Sequence, residues 1–539
     1  MEMESKENNS VSWLSNFLSS ARRVKPLISP SSSEAHGSKT LVRHLNLFDL
    51  ILIGVGASIG AGIFVVTGTV AREAGPGVTI SFILAGLSCL LNALCYAELA
   101  SRFPAVVGGA YLYAYTAFNE LTAFLVFGHL MLDFHIGAAN IARSLAGYVV
   151  RLLEPIFKEI PSWIGHGGKE YLGGAISLSL LAPILLALLT IILCQGVGKS
   201  AMINSIMTIL KIIIVLVVII VGSFKIDVSN WSPFAPTGAR PILTGATVVF
   251  FAYVGFDAVA NTAEESRKPQ RDLPIGILVS LLVCAGLYVG VSLVITGMVP
   301  YKFLGEEAPL AEAFTSNGLK FVAILISVGA VAGLTTTLLV GLYVQSRLYL
   351  GLGRDGLLPA VFAKVHPKHR TPVRSQIWVG LVAGVLAGLF NVHILSRILS
   401  VGSLVGYSVV AASVVTLRWK DKTATGVPIK GISSWMEGVI SLILLALCGF
   451  AAGLIFRLNA SYFYVFAPLV IAVYEAPPGF SCPGVPIAPA ICIIFNFFLF
   501  AQLHYEAWIR FAVFTVILVG VYAFYGQHHA DPLGSTPII

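Results

Sequence analysis

Among the ionisable side chains inside or beside long apolar stretches, where a charge costs roughly 2.5–3.5 kcal/mol on insertion scales, are three of types that could hold or relay a proton. They are Asp133 in Leu130-Met131-Leu132-Asp133-Phe134, Lys211 in Ile206-Met207-Thr208-Ile209-Leu210-Lys211-Ile212, and Asp257, which closes Phe250-Phe251-Ala252-Tyr253-Val254-Gly255-Phe256-Asp257. Groups of this kind hold or relay protons, or pair with another charge. Asp257 reads equally as a gate or proton relay and as a helix-start cap stabilised by the dipole. Two segments are broken by glycine: Phe250 to Asp257, and Gly54-Val55-Gly56-Ala57-Ser58-Ile59-Gly60-Ala61-Gly62-Ile63-Phe64. Glycine weakens a helix by about 1 kcal/mol per residue relative to alanine. Both segments are therefore expected to open and free backbone N–H and C=O groups for a charged solute. That is binding and proton chemistry. No Ser/His/Asp or metal-ligand constellation appears, and the chain is expected to be neither an enzyme nor a holder of metal or cofactor. Gly351-Leu352-Gly353-Arg354-Asp355-Gly356 matches a dinucleotide pattern but follows an apolar run instead of a strand. Gly198-Lys199-Ser200 imitates a phosphate loop but has Leu193 where the first glycine belongs, and His528 and His529 lack partner ligands.

The elements that must position these groups follow from composition. Of 539 residues 57% are apolar, about 307 side chains, and 11% are charged, against roughly 25% in an ordinary soluble domain. Mean hydropathy is +0.87. One soluble core cannot hide that much apolar surface, so the solvent is lipid. This excludes a soluble enzyme, a nucleic-acid binder and a disordered scaffold. Apolar runs fall near 45–69, 77–100, 121–149, 172–195, 200–222, 241–264, 273–299, 318–346, 374–393, 395–417, 435–456, 461–475, 485–503 and 507–526. At about 20 residues per crossing these predict an all-α polytopic protein of 14 spans, numbered below in chain order. Spans 1–5 (45–222) and spans 6–10 (241–418) form two halves, each opening with one glycine-broken segment. Spans 11–14 (435–526) follow. Small residues four apart, such as Gly56 and Gly60, also suit plain helix packing. Breaks at matching places in two halves point instead to a solute site in an inverted repeat.

Orientation follows the basic residues. With the tail 1–44 in the cytosol, 21 of the 34 Lys and Arg fall on the cytosolic side and 10 opposite, while Arg143, Lys211 and Arg510 lie within spans. The C-terminal tail 527–539 is then cytosolic, and the sequon Asn459-Ala460-Ser461 faces outward. The N-terminal tail lacks the apolar stretch of a signal peptide. Glu2, Glu4, Glu7 and Glu34 suit a plastid transit peptide poorly. The seven cysteines, without a CxxC pair, read as small apolar side chains.

Ile59-Gly60-Ala61-Gly62-Ile63-Phe64, Cys95 to Pro104 and Gly108-Gly109-Ala110-Tyr111 resemble the amino acid–polyamine–organocation superfamily. Phe250 to Asp257, Ala263-Glu264-Glu265, Pro269 to Pro274, Arg354 to Pro359 and the spans after 460 resemble its cationic amino acid transporter family, in a plant-like form. The resemblance implies a five-plus-five inverted repeat with an amino acid held at mid-membrane between spans 1 and 6. The N–H groups at Ala61, Gly62 and Ile63 suit the carboxylate. Carbonyls at Ser58 and Ile59, and at Phe251, Ala252 and Val254, suit the ammonium. Phe251 matches an aromatic that closes over substrate, with a plain core aromatic the rival reading. Lys211 matches a lysine standing where sodium-coupled relatives bind sodium, which makes a proton the expected coupling ion. A permanently charged lysine on a span 1 carbonyl is the rival. Asp133 departs from the family's Glu-Tyr, leaving its role open. Glu98, Arg102, Glu264 and Glu265 are expected as ion pairs of an inner gate.

The resemblance implies proton-coupled amino acid transport by alternating access, with cationic substrates the family's suggestion. A cationic Lys211 near the site repels lysine or arginine, which keeps neutral and acidic substrates open, as is exchange. A non-transporting amino acid receptor is the rival on the same fold. A channel filter and a membrane-enzyme cluster are both missing, and a light-subunit exchanger would lack the two extra spans. The membrane is expected to be vacuolar or plasma membrane, with the plastid envelope less favoured. The partners are substrate and lipid, with the oligomeric state left open.

Overall fold

The structure is a computed structural model that describes residues 15–25, 43–60, 62–103, 108–153, 170–171, 176–304, 309–390, 395, 401–424, 435–457, 481–503 and 505–530. Among these, nine helices are long and apolar enough to cross a membrane, and four shorter apolar helices accompany them. Together they coincide with thirteen of the fourteen apolar runs. Run 461–475 and Asn459 lie outside the described residues.

Span 1 begins as Leu47–Ser58, fixed by a capping box in which Asn46 and Asp49 bond each other's backbone N–H. After an interruption it resumes as Gly62–Val66 and Thr67–Ala74. Span 6 is likewise split, into Ala239–Tyr253 and Phe256–Glu265. The helices Val78–Arg102 and Pro269–Met298 (spans 2 and 7) pack along each other, and Glu120–Leu153 and Lys320–Arg354 (spans 3 and 8) do the same. These four surround the broken pair.

Span 5, Val197–Ser223, shows how one sequence serves two solvents. Met202, Ile206, Ile209, Ile213, Leu216 and Ile220 recur every three to four residues on its exposed face, the stripe a lipid-facing helix requires. Asn204, Thr208 and Lys211 recur at the same spacing on the buried face.

Two expectations are corrected. The span 4 helix starts at Leu181 rather than 172. Ahead of it Glu170–Tyr171 pairs antiparallel with Ile176–Ser177. Pro183 fits that late start, because the first helical turn tolerates a missing N–H. The N-terminal region is also more than a polar tail. Residues 15–21 are helical, Phe17 packs edge-on against Tyr522, and Arg23 and Lys25 pair with Glu120 at 3.0 Å and Asp355 at 2.5 Å.

Candidate functional site

The first interruption begins at Ile59, whose extended backbone (φ −76, ψ 95) ends the helix. The second lies at Val254, also extended, and Gly255, whose φ of 140 is a conformation only glycine adopts without strain. The two breaks face one another. A Cβ built on Gly255 would stand 2.8 Å from the carbonyl carbon of Ala57 and from the nitrogen of Ser58. One built on Gly62 would overlap Cα and Cβ of Ala252. The start of span 1 lies beside the end of span 6, where Leu45 N–H donates to the Glu265 carbonyl and Arg267 N–H to the Leu45 carbonyl, each at 3.0 Å, in a parallel bridge. Beside the breaks lies a cavity of about 100 Å³, walled by Ala57, Phe251, Val254, Gly255, Asp257 and Asp133 among others. By the same measure a water occupies ~10–15 Å³, so the space is that of a small solute.

The backbone groups freed at the breaks have partners. The Tyr288 hydroxyl stands 2.8 Å from the carbonyl oxygens of both Ser58 and Ala252. One hydroxyl has one proton to donate, so at any instant one of these two carbonyls lacks the tyrosine as donor. Lys211 Nζ is fully buried and donates to the Gly56 carbonyl at 2.9 Å, the Ile59 carbonyl at 2.7 Å and Thr336 Oγ1 at 2.7 Å. An ammonium has three protons, and here each has an acceptor. The lysine thus fills a small cage of oxygens between span 1 and span 8. Thr337 Oγ1 joins it at 3.2 Å from the Gly56 carbonyl and also lines the cavity.

Gly62 and Ile63 are buried at the start of the second half of span 1, while Ala61 lies outside the described residues. Ser58, Ile59 and Ala252 are buried, and Phe251 and Val254 are half-buried in the cavity wall. Asp257 is buried at the start of Phe256–Glu265, beside Tyr407. Asp133 receives Arg510 Nη2 at 2.8 Å and the Ser403 N–H at 3.0 Å. Arg143 donates to the carbonyls of Ala387 and Gly388 at the end of span 9.

The acids expected at an inner gate form ion pairs. Glu98 takes Arg418 in a two-bond clasp of 2.9 and 2.6 Å. Glu265 takes Arg347 at 2.9 Å and the Tyr343 hydroxyl at 2.5 Å. Glu264 takes Arg354 at 2.8 Å. Arg102 is half-buried at the last residue of span 2. Breaking a fully buried pair costs about 3–5 kcal/mol, because the remaining charge is stranded. Arg347 and Glu265 are each 1% exposed, whereas the Arg354 side chain is 29% exposed. Arg347→Met should therefore lower the melting temperature in detergent well beyond Arg354→Met. Equal shifts would contradict this ranking.

Sequence reasoning passed over Tyr288, Thr336, Thr337, Arg418, Asn204 and Thr208. Only the last two left a signal, as polar residues spaced i, i+4, i+7 with Lys211.

The family model for amino acid permeases matches residues 45–521. The chain is 66% identical to cationic amino acid transporter 9, chloroplastic, of Arabidopsis thaliana, over 97% of this chain and 95% of that protein. It is 35% identical to a branched-chain amino acid permease of Bacillus subtilis, over 94% and 97%. It is 33% identical to cationic amino acid transporter 4, vacuolar, of Arabidopsis thaliana, over 92% and 93%. With facing helix breaks inside a multi-pass apolar bundle, these similarities show that the chain belongs to the amino acid permease family, in its cationic amino acid transporter branch, and is a membrane transporter and not an enzyme.

Proposed function

We propose that this permease is a secondary carrier that moves amino acids by alternating access, with protons as the coupling ion. The observation that carries the reading is the close approach of the two breaks, Gly62 on Ala252 and Gly255 on Ala57 and Ser58, beside a solute-sized cavity. An amino acid brings a carboxylate and an ammonium, and neither enters a low-dielectric site without partners. The carboxylate takes the N–H groups that start the second half of span 1, at Gly62 and Ile63 and, by sequence, Ala61. The ammonium takes the carbonyl that the Tyr288 proton leaves free, Ser58 or Ala252, with Ile59, Phe251 and Val254 alongside. Phe251 closes the cavity. Lys211, in its cage of three acceptors, is the resident cation in place of a metal ion. Asp257 and Asp133 face the same cavity.

The layout is a five-plus-five inverted repeat with spans 11–14 added. In support, a short helix follows the second span of each half, Gly109–Ala117 in one and Pro309–Ser316 in the other. The relatives' names carry chloroplastic and vacuolar addresses. A plastid membrane therefore stands beside the vacuolar and plasma membranes as the permease's place.

Counterflow in proteoliposomes tests the function, with a panel of labelled amino acids and with or without a pH gradient. The carrier reading expects preloaded vesicles to accumulate label and an acid exterior to increase uptake. Flux no greater than in empty liposomes would leave only a receptor. Flux indifferent to the gradient would favour exchange.

A further inference from the structure

Four charged groups stand at or just behind the cavity wall. Asp133 and Asp257 line it directly. Lys211 lies behind Thr336 and Thr337 on the cage at span 1. The fourth is Arg510, which reaches Asp133 from Tyr505–Val521 in span 14, outside the two five-span halves. Each carboxylate oxygen of Asp133 thereby has a donor from within the chain, Oδ1 from Arg510 at 2.8 Å and Oδ2 from the Ser403 N–H at 3.0 Å. The side chain of the acid is 3% exposed and that of the arginine 14%. Counted in their ordinary charged forms, two acids and two bases leave the surroundings of the cavity without net charge. Most of the remaining wall is apolar or small, including Ile141, Ala138, Val340 and Val344.

We propose that Arg510 is the specificity-determining residue of the substrate side-chain pocket: by holding Asp133 it cancels the pocket's negative charge and excludes amino acids with cationic side chains. The inference rests on the carrier reading above and adds the substrate class, zwitterions whose side chain carries no positive charge. A lysine or arginine substrate would bring an unpaired charge into a desolvated and already neutral site, where such a charge has no compensation. Without Arg510, Asp133 faces the cavity as an acid in need of a cation, and the side chain of lysine supplies one. The C-terminal span thus serves selectivity as well as packing.

The experiment measures labelled lysine and leucine uptake in proteoliposomes holding the wild type, Arg510→Met or Arg510→Lys. The wild type is expected to carry leucine in preference to lysine. In Arg510→Met the lysine-to-leucine ratio should rise at least about tenfold, a modest return on a buried charge left unpaired. Arg510→Lys keeps the positive charge and should stay near the wild-type ratio. Wild-type preference for lysine over leucine overturns the inference whatever the variants do. So does an unchanged ratio in Arg510→Met that elutes as a monodisperse species in detergent. If that variant does not fold, Arg510→Gln, which removes the charge and keeps a hydrogen-bond donor, takes its place, and an unchanged lysine-to-leucine ratio in it overturns the inference. No transport or stabilisation by any amino acid would overturn the carrier reading itself, a result distinct from transport with cationic preference.

Discussion

Lys211→Met is expected to reduce amino acid uptake about a hundredfold or more and to leave the residual flux indifferent to external pH. The lysine makes three hydrogen bonds, to the Gly56 and Ile59 carbonyls and to Thr336. Hydrogen bonds to a charged group contribute about 1.5–3 kcal/mol each, and losing about 3 kcal/mol from a transport barrier already amounts to a hundredfold. Methionine keeps the bulk but donates nothing. It leaves the Gly56 and Ile59 carbonyls at the end of the first half-helix with Thr337 of span 8 alone, so the break loses both its anchor to span 5 and its cation. Uptake across a range of external pH, with the amount of reconstituted protein matched, measures the effect. Full uptake with unchanged pH dependence would remove Lys211 from the mechanism and leave it a structural lysine.

The second large effect is expected at the contact between the breaks. Gly62→Val places a branched side chain where even a Cβ overlaps the Cα and Cβ of Ala252, and backbone cannot swing aside as a side chain can. Gly255→Ala meets the Ala57 and Ser58 backbone at 2.8 Å. It also asks alanine to hold a φ of 140, strain of about 1–3 kcal/mol. Either variant should lose more than about nine-tenths of uptake, which is what a little over 1.4 kcal/mol does. Gly286→Ala, where an added Cβ meets nothing within 4 Å, should transport normally and serves as the control. Normal uptake by Gly62→Val would show that the two breaks do not need their close approach.

The breaks were legible in the sequence because glycine density is a local property, and both openings fall inside the glycine-bearing segments read for them. The depth of Lys211 was legible for the same reason, as one charge in an apolar run. Its acceptor Thr336 was not, because it lies 125 residues away on span 8 and a threonine in an apolar run is unremarkable. Tyr288 is a stronger case. Nothing in Leu287-Tyr288-Val289 announces a hydroxyl placed between two breaks, although a buried tyrosine must find a partner somewhere. Glu98, Glu264 and Glu265 were recognisable as members of ion pairs, while their partners Arg418, Arg354 and Arg347 required the packing of spans 2, 6, 8 and 10. Arg510 was visible as a charge within a span, but only three dimensions bring it to Asp133, 377 residues earlier. Local chemistry was thus readable, and pairing across spans was not.

The most direct test of the central claim is a cryo-EM map of the permease in nanodiscs with a transported amino acid bound. The facing breaks predict the ligand's carboxylate within hydrogen-bond distance of the Gly62 and Ile63 N–H groups, and its ammonium beside the Ser58 or Ala252 carbonyl. A ligand bound away from both breaks, or spans 1 and 6 running as unbroken helices, would contradict it.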